Sequence, residues 1–182
     1  KKVSLLDAPV SGGISGAKNS SLTIMVGGDK HAFNKVHKCL LFMGKNVIYV
    51  GKSGSGQIVK ACNNMMLGIN MIGISEAFSL AIKFGIDKKV FYKICSNSTS
   101  SSWAMINHLP VKGLVENSAA NNNFKPGYAA ALIKKDLNIS QAMAKKVKMK
   151  TILGKKAKNI YDKFCNNFSS NLDYSAIIKI FK

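Results

Sequence analysis

Three places in the sequence gather side chains that could do chemistry. The first is the stretch 51–85, where Lys60, Asn63 and Asn64 interrupt a nearly unbroken apolar run. Lys60 and Asn64 are four residues apart, so on a helix they share one face. An ammonium carried on an apolar helix must be solvated, paired or set in a cleft. Lys60 is therefore either a snorkelling surface residue or a site residue, and in a site a lysine offers a cation or a group for proton transfer. The second place is Ser11-Gly12-Gly13, where bare backbone N–H groups and a hydroxyl could meet an anion. On its own that triplet reads more readily as an ordinary loop. The third is Lys134-Lys135-Asp136, which interrupts an apolar stripe and would be a solvated helix face in most proteins.

The elements that must position these residues follow from local pattern. Residues 51–85 open on a glycine and serine turn, run apolar on most sides and reach Gly85, which suits a left-handed helix end. A helix apolar all round predicts burial in a domain centre. Its length would also suit a membrane span. Asn63, Asn64, Asn70, Glu76 and Lys83 argue against one, since each is costly in lipid. Upstream, residues 3–8, 21–26 and 46–50 read as strands, with Pro9 excluding the middle of a paired ladder. A helix over 30–43 is capped by Asp29. Strand, helix and strand in this order make an α/β unit, too small for a complete doubly wound domain, so an earlier half is expected upstream of Lys1. Downstream the chain reads as wholly helical, with helices at 87–96, near Trp103, and over 129–148, 152–164 and 170–181.

Composition narrows the classes of function. The formal charge is +19 over 182 residues, yet all 27 basic residues are lysine. Arginine is the residue that base readout and bidentate phosphate recognition lean on. Lysine as a favoured polar filler therefore accounts for the charge better than nucleic-acid binding does, and a polyanion-binding surface is the rival reading. The cluster Lys145, Lys146, Lys148 and Lys150 is expected to be solvated surface. Cys39, Cys62, Cys95 and Cys165 form no CxxC pair and are expected to be reduced, buried thiols. His31, His37 and His108 imply no metal site. The opening KKVSLLDAPV is neither a signal nor a transit peptide.

Several separated motifs agree with one family. DAPVSGG at 7–13, MVGGD at 25–29, GQIVKACNNM at 56–65, NNFKPGYAAAL at 122–132 and KDL at 135–137 resemble the β-hydroxyacid dehydrogenases, in order and spacing, over essentially the whole chain. SSSW at 100–103 fits the 3-hydroxyisobutyrate branch. A histidine in place of Asn63 would resemble the 6-phosphogluconate branch instead. The resemblance implies an α/β N-terminal remnant, the C-terminal half of a Rossmann domain, over 1–52. An all-α domain built around a long central helix would follow over 53–182. Glycine fingerprint GxGxxG, which cradles a pyrophosphate, does not occur in these residues.

Carried over position by position, the resemblance makes Lys60 the catalytic acid/base. Ser11, Gly12 and Gly13 become the substrate-carboxylate loop and Asn64 the substrate-binding amide. Lys135, with the neighbouring Asp136, becomes the cofactor-facing pair. It implies NAD as cofactor, with NADP not excluded, and a small 3-hydroxy acid as substrate, oxidised to a semialdehyde in valine catabolism. A homodimer or homotetramer, no membrane and no nucleic acid are implied, as is an intracellular location, mitochondrial in a eukaryote and otherwise cytoplasmic. Tartronate semialdehyde, glyoxylate or succinic semialdehyde reductases of the same family are the neighbouring alternatives. A non-catalytic polyanion-binding member is the alternative of another class. Trp103 is expected either at the rim of the substrate pocket or in the core.

Overall fold

The computed structural model describes residues 3–181. The chain divides into two compact units, one up to Asn63 and one from Asn64 onward.

The first unit is a four-stranded sheet with two helices. Strands β1 (Leu6–Asp7), β2 (Val10–Ser11), β3 (Thr23–Gly28) and β4 (Asn46–Gly51) alternate with helices α1 (Gly13–Lys18) and α2 (Lys30–Leu40). Strand β3 is central. It pairs antiparallel with β1 at one end and β2 at the other, and parallel with β4. Pro9 splits what would be one edge strand, because it has no N–H to give, yet its carbonyl still accepts from the Met25 N–H at 3.0 Å. The parallel β3–α2–β4 arrangement is the α/β unit that the sequence predicts. Ile24 and Val26 of β3 and Phe33 of α2 form its core, and the Asp29 carboxylate caps α2 by accepting the Ala32 N–H at 2.7 Å.

Three local expectations change. A short helix, α1, follows the Ser-Gly-Gly turn, where the sequence offers no capping side chain or apolar period. Helix α2 stops at Leu40 rather than Met43. The long helix α3 (Ser55–Lys83) buries Ala61, Met71, Ile74 and Phe78, but Ile58, Met66 and Leu80 on its other sides are more than half exposed. Apolar sequence on every side therefore does not bury this helix on every side.

The start of α3 is capped from outside the helix. Its cap comes from β1: the Asp7 carboxylate accepts the Gly54 N–H at 2.7 Å and the Gln57 N–H at 3.1 Å. Burial raises the Asp7 pKa, but the backbone N–H bonds from Gly54, Gln57 and Gly56 outweigh it, so the group stays below the usual carboxylate range. Gly27 and Gly56 permit this approach. A Cβ on Gly56 would stand 2.7 Å from an Asp7 carboxylate oxygen and closer still to the Met25 carbonyl.

The second unit is helical. The remainder of α3 packs with α4 (Lys88–Ser96), α5 (Trp103–His108), α6 (Ala130–Lys146) and α7 (Ile152–Asn167). Met71, Phe78, Ile133, Leu137, Tyr161 and Phe164 fill its centre. The terminal helix predicted over 170–181 is instead a 3-10 segment, Tyr174–Phe181. The reason lies just before it, where Asp173 bridges Ala129 in extended form and Ala130 N–H donates to the Leu172 carbonyl at 2.8 Å. Residues tied to that ladder cannot enter an α-helix. All four cysteines are free; Cys39 and Cys62 are exposed and Cys95 and Cys165 half-buried. The expectation of buried thiols fails because Cys39 and Cys62 lie off the faces on which α2 and α3 bury Phe33 and Ala61.

Candidate functional site

Lys135 and Asp136 of the KDL motif sit in the second turn of α6, whose entry is held by the C-terminal segment. The buried Asp173 carboxylate accepts the N–H groups of Gly127 and Tyr128 at 3.0 and 3.1 Å, and both the N–H and the hydroxyl of Ser175 beside it. Tyr128 carbonyl in turn accepts the Tyr174 N–H at 2.8 Å. Helix α6 has no side-chain cap, so the Leu172 and Ser170 carbonyls satisfy its first N–H groups. These bonds fix the backbone from which the Tyr128 side chain leaves.

That side chain reaches Asp136. The Tyr128 hydroxyl donates to Asp136 Oδ2 at 2.5 Å, and Asn64 Nδ2 donates to the same oxygen at 2.6 Å and to the Tyr128 hydroxyl oxygen at 3.2 Å. On its other oxygen, Oδ1, Asp136 meets the Lys135 ammonium at 3.0 Å. Asn64 is 2 % exposed. Burial pulls the Asp136 pKa up, but donors from Tyr128, Lys135 and Asn64 more than offset it and hold the carboxyl below its ordinary range. Tyr128 is shifted the other way, well above an ordinary phenol, by burial and by the Asp136 carboxylate it bonds. At neutral pH the pair is therefore an anion accepting from a neutral phenol.

This geometry decides which way the Asn64 amide faces. A carboxylate only accepts, so the Asn64 atom that meets Asp136 must be the nitrogen. The amide oxygen, which can only accept, is thereby set on the opposite side of the amide group. Lys60 lies one helical turn before Asn64 on α3 and is half-buried, as is Asn63.

Of the residues expected to form a site, Asn64, Lys135 and Asp136 are brought together in the second unit. Ser11, Gly12 and Gly13 are together in the first. Ser11 is half-buried at the end of β2, and Gly12 and Gly13 take φ of 134° and 61° as the chain turns into α1. Such angles suit glycine and turn the backbone N–H groups sharply. Lys134 is more than a solvated face, since its ammonium lies 3.6 Å from Asp162 of α7. Lys145, Lys146, Lys148 and Lys150 are exposed.

Trp103 is 53 % exposed, not a core tryptophan. Its ring packs 4.7 Å from His108, His108 lies 5.6 Å from Tyr174, and Tyr174 lies 5.5 Å from Tyr128, so a row of aromatic rings runs from solvent to the Asp136 partner.

Sequence reasoning missed Tyr128, Asp173 and Asp7. For Tyr128 a signal existed: an aromatic directly after Pro126-Gly127, two turns ahead of Asp136 on the helix it opens. Asp173 and Asp7 act on backbone more than forty residues away in sequence, which no local pattern reveals.

Known proteins match this chain over its whole length. Residues 54–181 match the family model described as NAD-binding of NADP-dependent 3-hydroxyisobutyrate dehydrogenase, and residues 1–51 match that of the NAD binding domain of 6-phosphogluconate dehydrogenase. Both are nicotinamide-dinucleotide-binding modules. Mitochondrial 3-hydroxyisobutyrate dehydrogenase of Drosophila melanogaster is 40% identical over all of this chain and 56% of its own length. The Rattus norvegicus enzyme is 40% identical over 96% of the chain and 52% of its own. The chain thus spans about half the length of these relatives. The solved structure of Mycobacterium tuberculosis 3-hydroxyisobutyrate dehydrogenase with L-serine superposes with a TM-score of 0.92 at 40% identity, over 97% of this chain and 60% of that one.

Proposed function

The chain belongs to the 3-hydroxyisobutyrate dehydrogenase family, and on that footing we propose that it is the substrate-handling part of an enzyme that oxidises 3-hydroxyisobutyrate to methylmalonate semialdehyde, as in valine catabolism. The observation that carries this reading is the fixed orientation of Asn64, held by Asp136 and Tyr128 one turn past Lys60. A nicotinamide cofactor supplies, when bound, the acceptor for the hydride that leaves the carbinol carbon.

Within the chain the roles divide by chemistry. Lys60 is the general base, taking the proton of the substrate hydroxyl as its carbon is oxidised; in the reverse direction it returns that proton to the carbonyl oxygen. Asn64, with its amide nitrogen turned to Asp136, is the substrate-binding amide beside Lys60 and acts there through its oxygen, as an acceptor. Ser11 and the backbone N–H groups of Gly12 and Gly13 hold the substrate carboxylate, the Ser11 hydroxyl and two glycine amides being donors suited to an anion. The Lys135 ammonium, 60 % exposed and steered by Asp136, fits an anionic group such as a cofactor phosphate. NAD is the expected cofactor and NADP its alternative. A homodimer or homotetramer is the expected assembly, and a mitochondrial place the expected one if the source is eukaryotic, as in the Drosophila and rat relatives.

The test is steady-state oxidation by the full-length protein, followed by nicotinamide absorbance, with 3-hydroxyisobutyrate set against glycerate and 4-hydroxybutyrate. This reading expects the highest kcat/KM with 3-hydroxyisobutyrate. A higher value with glycerate or 4-hydroxybutyrate would move the protein to the semialdehyde-reductase branches.

A further inference from the structure

The helical unit holds a cavity that shares no residue with the Asn64, Tyr128 and Asp136 group. Its volume is about 590 Å³, within the range of pockets that take small organic ligands. The floor is apolar, with Phe124 and Ile178 among its residues. Around it stand four lysines from three stretches of the chain: Lys83 at the end of α3 with Lys88 at the start of α4, Lys112 in the loop after α5, and Lys179 in the terminal 3-10 segment.

Charge is one-sided here. No aspartate or glutamate lines the cavity, and among the described residues none of the four lysines has a carboxylate within 4.0 Å. Of the acids near these lysines in sequence, Asp87 caps α4 by accepting the Lys89 and Val90 N–H groups, Glu116 is exposed, Asp173 accepts from the Gly127 and Tyr128 N–H groups, and Glu76 lines a neighbouring cleft that Lys83 also borders. Lys83 has a local reason to exist, since a cation suits a helix C-terminus. The other three have none of that kind. Two of the lysine heads are placed rather than free in solvent. Lys88 Nζ donates to the Lys112 carbonyl at 2.9 Å and keeps two protons for other acceptors, and Lys179 Nζ lies 5.6 Å from the centre of the Phe124 ring. Phe124 itself has φ of 58° and follows Asn123 at 47°. Two successive non-glycine residues in the left-handed region are uncommon, and this backbone presents the Phe124 ring to the cavity.

The contrast with the rest of the surface is what gives the arrangement meaning. Lysines such as Lys145, Lys146, Lys148 and Lys150 stand exposed in one local run, as expected of a lysine-rich chain. The cavity instead gathers cations from distant segments around an apolar floor. We propose that it binds an anionic amphiphile: a carboxylate or phosphate head on an aliphatic body, the head held by the lysine rim and the body lying against Phe124 and Ile178. Such a head would form charge-assisted hydrogen bonds with several ammonium groups at once, while the chain leaves water for the apolar floor.

Titration calorimetry of the full-length protein with decanoate, decyl phosphate and decyltrimethylammonium tests this. Saturable binding of either anion, weakened by added salt, with no binding of the cation, is the expected result; preference for decanoate or for decyl phosphate then identifies the head as carboxylate or phosphate. The variant Lys83→Glu/Lys112→Glu, altering two exposed side chains, should weaken that binding about tenfold or more. A control of equal charge change on α7, Lys155→Glu/Lys156→Glu, should leave it within about threefold. The proposal fails if neither anion binds, if the cation binds as well as the anions, or if the two variants lose affinity equally.

Discussion

Replacing Asp136 by asparagine tests the network that orients Asn64. In the native protein the carboxylate accepts from the Tyr128 hydroxyl, from Asn64 Nδ2 and from the Lys135 ammonium, with its side chain 13 % exposed. Hydrogen bonds to a charged group contribute about 1.5–3 kcal/mol each. The Lys135 contact counts for little, because that ammonium is mostly in solvent. Asparagine can set its carbonyl oxygen where Oδ2 stands and accept from both buried donors, but that oxygen is uncharged and the amide nitrogen then faces the Lys135 ammonium, so Asp136→Asn should cost about 1–2 kcal/mol of unfolding free energy at neutral pH. Asp136→Ala keeps no acceptor and should cost on the order of 2–5 kcal/mol. The pH dependence has a definite sign. The folded-state pKa of Asp136 is depressed, so its contribution is fully present above the unfolded value near 4 and disappears as pH falls through the lower folded value. Urea unfolding of wild type and Asp136→Asn should therefore show a gap at pH 7 that narrows below about pH 4. In activity, the asparagine variant should raise KM for the hydroxy acid, since an uncharged acceptor holds the Asn64 amide less firmly. A variant within about 0.5 kcal/mol of wild type at pH 7, with a gap indifferent to pH, would refute the reasoning.

Other substitutions probe the supports of the two units, with urea unfolding as the common measurement. Asp7→Ala removes the cap of α3 and should cost about 1–2 kcal/mol; no change would mean that water replaces the carboxylate at the Gly54 and Gln57 N–H groups. Gly56→Ala places a methyl against Asp7 and the Met25 carbonyl, and should cost about 1–3 kcal/mol by forcing helix and strand apart. Asp173→Ala strips the buried acceptor of Gly127, Tyr128 and Ser175 and should destabilise by about 3 kcal/mol or more. A loss under about 1 kcal/mol would show that the α6 entry is held by other bonds.

What sequence could and could not reveal here follows from the range of the interactions. The β3–α2–β4 unit was readable because its signals are local: alternation in β3, an Asp29 cap, a helical apolar period through Phe33. Helices α6 and α7 were readable for the same reason. The terminal segment was misread as α-helix because its conformation is imposed by Leu172 and Asp173 pairing with Ala129 and Ala130, a contact across more than forty residues. Helix α3 was recognised by its length and glycine ends, but its apolar exposed side shows that hydrophobic sequence alone does not specify where a helix is buried. At the candidate site, Lys60, Asn64 and Asp136 stand out as polar groups in apolar helices. Tyr128 does not, because a tyrosine at a helix entry is ordinary until its partner is known.

The central claim is that Lys60 moves the substrate proton. Its most direct measurement is single-turnover oxidation of 3-hydroxyisobutyrate by the full-length Lys60→Ala protein, with cofactor affinity and unfolding midpoint measured alongside. The account predicts a fall in rate of about a hundred- to ten-thousand-fold with both of the other quantities unchanged. A rate within about threefold of wild type in a folded, cofactor-binding variant would contradict it.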